Sequence, residues 1–141
     1  MNMRLGYALG TAIVVTTLSS GSTWAFWPAS IVGTWEASAN QTGLELVITK
    51  QKAGGHCKDI LGTITDVSPP GQSNPIQGWY CPATGRFSFL RKNSVNNDTF
   101  QVYSGNLSDD GEVVRMGGIF AQEGNGPQSN SGEYNFSAVR R

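Results

Sequence analysis

The chain has 141 residues, in which ten basic and ten acidic side chains cancel. This length suits one domain, and zero net charge with only 14% charged residues excludes a whole-molecule electrostatic pull toward nucleic acid or acidic membranes. Eighteen glycines and six prolines favour short strands and many turns over helices.

The first 25 residues have the pattern of an export signal. Arg4 supplies the positive end, "LGYALGTAIVVTTL" the apolar run, and "SSGSTWA" a small-residue exit ending at Ala25. Cleavage there leaves a mature domain of residues 26–141 in a secreted or periplasmic compartment, with no attachment to a membrane once the signal is gone. An uncleaved anchor is the alternative, though Ser19 to Ser22 make a poor bilayer segment. Trp24, Phe26 and Trp27 flank the exit and are read as part of it; an aromatic tip against the barrel end is the competing reading for Phe26 and Trp27.

Alternation and turn punctuation then predict eight strands: Ser30 to Ser38, Leu44 to Lys50, Ile60 to Val67, Pro75 to Cys81, Arg86 to Lys92, Thr99 to Leu107, Val113 to Gln122, and Glu133 to Arg140. The connections "NQTG", "KAGGH", "SPPGQSN", "PATG", "NSVNND", "SDDG" and "EGNGPQSNSG" are rich in residues that tolerate tight backbone. Short loops make an antiparallel up-and-down meander, and a meander hides its edges by closing into an eight-stranded β-barrel. A two-sheet sandwich of the same strands is the alternative.

Cys57 and Cys81 are the only cysteines, and an exported chain meets an oxidising compartment, so a disulfide is the default. They lie almost symmetrically about "SPPGQSN", at the open end of the hairpin those strands would form. Closing that loop contributes about 3 kcal/mol in the chain-entropy view.

Trp35 shares a face with Ile31, Gly33 and Ala37, while Tyr134, Phe136, Ala138 and Arg140 share a face on the last strand. Closure pairs these two strands and brings Arg140 to Trp35, where guanidinium and indole would plug one barrel end through a contact worth about 0.5–2 kcal/mol. A loose C-terminal arginine is the alternative.

Gly33-Thr34-Trp35 opening the first strand, with a basic residue on the last, resembles the calycin superfamily of lipocalins, fatty-acid-binding proteins and avidins. Within it the chain is similar to the avidin and streptavidin family over about residues 30–141. Further landmarks are Gly62-Thr63, Gly85 with Arg91, Tyr103-Ser104-Gly105, and Tyr134 through Val139.

That resemblance implies a non-enzymatic binding protein, with a small molecule held in the open barrel end and biotin among the candidates. A homo-oligomer is left open, and no cofactor is expected. The ligand positions it implies are Ser38, Asn40 and Thr42 after strand one, Ile64 where the family has tyrosine, Leu90 near a family tryptophan, and the aromatics Tyr103 and Tyr134. Thr99 and Gln101 share the Tyr103 face and offer polar contacts. The missing tyrosine hydroxyl and missing tryptophans favour a ligand other than biotin. Strand five holds a conflict: core logic buries Phe87 and Phe89, whereas the resemblance turns Leu90 inward. A bulge near Arg91 or a one-residue shift of the alignment reconciles them.

Other chemistry finds little support. His56 beside Cys57 lacks a framed nucleophile, "SDDGE" is read as a hairpin turn rather than a calcium loop, and the carboxylates Glu36, Glu45, Asp66 and Glu133 are scattered. Acceptor triplets for N-glycosylation start at Asn40, Asn97, Asn106 and Asn135, and chance explains them best. The rival to a small-molecule carrier is a protein-binding module, such as an inhibitor of an extracellular hydrolase, that presents "SPPGQSNP" and "EGNGPQSNSG". A cavity lined by Gln101, Tyr103 and Tyr134 would favour the carrier, and a filled interior with a protruding ordered loop the module.

Overall fold

The computed structural model describes residues 27–123 and 131–141, so the proposed signal segment and much of "EGNGPQSNSG" lie outside the described residues. Eight strands follow in order: β1 (Gly33–Ala39), β2 (Thr42–Gln51), β3 (Lys58–Ser68), β4 (Pro70–Cys81), β5 (Arg86–Lys92), β6 (Thr99–Asp109), β7 (Val114–Gln122) and β8 (Gly132–Arg140). Each pairs antiparallel with the next, and β8 returns to β1, which closes the barrel and excludes the sandwich. Among these residues no helix is long and apolar enough to cross a membrane, a statement that does not extend to strands.

Period-two alternation decides what faces inward. Trp35, Leu46, Ile48, Ile60, Ile64, Ile76, Phe87, Phe89 and Tyr103 are all buried to within 1% exposure, and their chain neighbours point outward. An aromatic ladder crosses β5 to β8: Phe89 stacks on Tyr103 at 4.7 Å, Tyr103 on Phe120 at 5.2 Å, and Phe120 on Tyr134 at 5.2 Å. Phe136 meets Phe87, Phe89 and Tyr103 edge-on, the packing that ring quadrupoles prefer. Rings of this size fit inside so narrow a barrel because Gly105 and Gly118, on the same inner face, let β6 and β7 approach closely; a Cβ on either would collide with the other strand's backbone.

Most predicted strand ends fall within two residues of the observed ones, and two places differ by more. The first begins at Gly33, because Ser30 to Val32 leave the ladder and cross the barrel end; Gln51 Oε1 accepts from the Ile31 amide and Ser30 Oγ from that of Val32. The β3–β4 hairpin also runs further than expected, pairing as far as Val67 with Pro70, so "SPPGQSN" forms a turn and strand rather than a loop. Its opposite end carries the Cys57–Cys81 disulfide, 24 residues apart.

The closed end is built around Trp35. Its partner across β1–β8 is Arg140, whose guanidinium lies 5.7 Å from the indole and donates to the carbonyls of Val32 at 2.6 Å and Ser30 at 3.3 Å. Gly33 lies against that arginine, where a Cβ would make only an ordinary contact at 3.5 Å, so it is the φ of 143° that calls for glycine. Trp27 also packs at this end, donating from Nε1 to the Leu107 carbonyl at 2.8 Å, so the competing reading of an aromatic tip against the barrel end replaces that of a signal exit for this residue. Tyr80 donates to the Pro28 carbonyl at 2.7 Å, which holds the same crossing segment down. Burial, with Asp109 nearby as a lesser cause, pushes that phenol up to about 12.

Candidate functional site

The other end of the barrel is open. A cavity of about 720 Å³ lies where β1, β3, β5 and β7 finish and β2, β4, β6 and β8 begin. Its apolar side continues the aromatic ladder, with Phe120, Tyr103 and Tyr134 joined by Phe100, and its rim carries Asn40, Thr42, Gln72 and Asn93. The size is that of a small-molecule site, and the lining is more polar than apolar, with rings confined to one side.

A polar network centred on Arg91 forms the remaining wall. Arg91 is 5% exposed. It donates to Asn74 Oδ1 from Nη2 at 2.7 Å and from Nε at 3.0 Å, and to Gln101 Oε1 from Nη1 at 3.3 Å. Nη2 also pairs with Asp66 Oδ1 at 2.9 Å, so charge and donors are met together. The guanidinium lies 5.3 Å from the Phe100 ring centre. Gln101 Oε1 accepts a second bond from the Tyr103 hydroxyl at 2.8 Å, and Gln101 Nε2 donates to Gln122 Oε1 at 2.8 Å. Burial, opposed by the Arg91 charge, raises the Tyr103 phenol to about 12, which keeps it a donor through the ordinary pH range.

The predicted ligand residues divide. Asn40, Gln101, Tyr103 and Tyr134 line the cavity together. Ile64 faces inward but is fully buried, opposite the cavity-lining Asn74 across β3–β4, and is not part of the wall. Ser38 points outward from β1 and flanks a shallow outer recess with Asn135 and Ser137. Leu90 also points outward, because Phe87, Phe89 and Arg91 alternate inward; core logic resolves the strand-five conflict, and the inward neighbour is an arginine. Thr99 is exposed and leaves the Gln101 face, since the β5–β6 register shifts between Arg91 and Lys92. Phe100 lies within that irregularity and takes the place in the wall that Thr99 was expected to hold.

Asp66, Asn74, Arg91, Phe100 and Gln122 were not identified as site residues. The signal for Arg91 was present: it follows two buried phenylalanines at period two, and a charged inward residue demands partners. Asp66 was seen only as one scattered carboxylate.

Among the described residues no catalytic constellation emerges elsewhere. His56 is exposed, and no group of His, Cys, Asp or Glu among the described residues could hold a metal. In "SDDGE", Asp109 Oδ1 accepts from the Gly111 amide and Asp110 Oδ1 from those of Glu112 and Val113. Those bonds, with Arg115, hold the Asp110 carboxyl down at about 2, as a turn requires.

No family model and no curated protein sequence matches the chain. Solved structures do. A low-affinity mutant of shwanavidin is 19% identical over 79% of this chain and 97% of that one, with a TM-score of 0.59. Apo shwanavidin in two crystal forms is 20% and 19% identical, covers 100% of that chain in each case, and gives TM-scores of 0.55 and 0.57. These likenesses establish the fold as the avidin-like barrel.

Proposed function

We propose that this chain is an exported, non-enzymatic binding protein that takes a small molecule into the open end of its barrel. The observation that carries this reading is the cavity itself, in which Gln101, Tyr103 and Tyr134 meet Phe100 and the Arg91 network. The rigid wall supports it, because a preformed container loses little conformational entropy on binding. The shared fold with shwanavidin supports the same class without naming the ligand. An open interior weighs against a protein-binding module, which would need no container. The disulfide supports export through an oxidising compartment.

Biotin is the first compound to test, although the wall's rings are phenylalanine and tyrosine where the avidin family has tryptophans, and the Arg91–Asp66 charge pair borders the cavity. A planar, moderately polar ligand other than biotin fits better. Native mass spectrometry of the secreted protein, with and without biotin, is the test. The expected spectrum shows a chain starting at Phe26, two hydrogens lighter for the cystine, with bound small molecule; the same spectrum reads the oligomeric state. A mature protein that retains nothing and gains nothing from biotin or from a metabolite extract overturns the carrier reading.

A further inference from the structure

We infer that Arg91 orients the amides around it so that their spare NH2 groups are donors toward the cavity, and that the ligand is a neutral molecule that meets the Asn74 and Gln122 nitrogens with acceptor oxygens. This rests on the reading of the cavity as a ligand site. A guanidinium can only donate, so any amide touching it must turn its oxygen toward it. Asn74 Oδ1 receives two bonds from Arg91, and Gln101 Oε1 receives one from Arg91 and one from Tyr103. Both oxygens are then saturated. The Gln101 nitrogen must point away from Arg91, where it donates to Gln122 Oε1, and this turns the Gln122 nitrogen outward in its place. At the rim, Asn93 commits its oxygen to the Val95 amide.

The NH2 groups are left over. Asn74 is 4% exposed and its nitrogen has no partner among the described residues, yet no fully buried polar atom of those residues lacks one; that nitrogen therefore opens onto the cavity that Asn74 lines. Gln122 and Asn93, also in the wall, have NH2 groups without partners among the described residues. The Arg91 charge is cancelled by Asp66, whose carboxylate also borders the cavity and disfavours an anion. The wall also holds oxygens that can accept, among them those of Asp66, Gln72 and Tyr134, but the Asn74 and Gln122 NH2 hydrogens are met only by an acceptor on the ligand. A carbonyl oxygen on a flat ring satisfies the donors and stacks on the aromatic side.

Two single-ring probes separate the alternatives: N,N-dimethylbenzamide, which is neutral and only accepts, and benzamidine, which is a cation at neutral pH and only donates. Titration of the mature, 15N-labelled, disulfide-bonded protein with each, followed through the side-chain NH2 resonances of Asn74, Gln101 and Gln122, reads binding and its orientation at once. The expected result is that dimethylbenzamide shifts the Asn74 and Gln122 signals while benzamidine does not. Benzamidine binding equally well in the cavity overturns the donor assignment and leaves the container intact. Silence of every cavity resonance toward both probes overturns the container and the donor assignment together. Asn74→Asp keeps the oxygen on Arg91 but replaces the free NH2 by an acceptor, so dimethylbenzamide binding should weaken about tenfold, the size of one hydrogen bond lost. Gln122→Glu serves as the second variant should Asn74→Asp not fold, with the same expected loss; unchanged affinity in either variant overturns the inference.

Discussion

The barrel holds one arginine inside each end, and the two are satisfied in opposite ways. At the closed end Arg140 lies by the Trp35 indole and donates to backbone carbonyls of Ser30 and Val32. At the open end Arg91 lies by Phe100 and is met by the side chains of Asp66, Asn74 and Gln101. Backbone partners come with the crossing segment that covers the hole, so hydrogen bonding and plugging are one act. Side-chain partners reach in from the wall, leave the centre empty and turn spare donors into it. The same residue type thus makes a stopper at one end and a lined cavity at the other.

Three measurements test that contrast, in descending size of effect. Removing the stopper is the most costly: Trp35→Ala empties a fully buried site and should cost about 3–5 kcal/mol in urea denaturation. A cost below about 1 kcal/mol would mean that the indole is not the keystone of the floor.

Next comes the same change at both arginines. Arg91→Met leaves Asp66 and the Asn74 oxygen without their partner; with Asp66 28% exposed, the expected cost is about 2–3 kcal/mol. Adding Asp66→Asn should return more than half of it. Arg140→Met should cost only about 1 kcal/mol, because its carbonyl partners stand nearer solvent. Equal costs at the two positions would erase the distinction between the ends.

The smallest effect is alkaline. Tyr80 at the closed end and Tyr103 at the open end are each raised from 10.0 to about 12, mainly by burial. Since folding favours the neutral phenol, the contribution is whole below pH 10 and disappears as pH climbs through about 12. Absorbance titration should show two late-ionising tyrosines in the folded protein, with stability flat up to pH 10 and falling above it. Tyr103→Phe should remove one late ionisation; a retained pair would place the Tyr103 hydroxyl outside the buried network.

Much of the closed end was legible in the sequence, because its residues announce themselves locally. Trp35 follows Gly33 at period two, Arg140 closes an alternating run, and their meeting needs only that first and last strands pair. The open end was less so. Arg91 and Asp66 come from β5 and β3, with Asn74 on the β4 strand between them, and each looks ordinary in its own strand. Phe100 enters the wall through a register shift that no alternation signals. Leu90 shows the opposite lesson: alternation from Phe87 and Phe89 placed it outside, and family likeness misdirected it.

What the amino-acid order settled by itself is the number of strands, most of their turns and inward faces, and the cysteine pair, since period-two alternation and turn chemistry act within a few residues. Tertiary structure alone decided which side chains share the cavity and which way their amides point. Those depend on how far each strand slides past its neighbour, and one guanidinium brought among three strands then orients every amide within its reach.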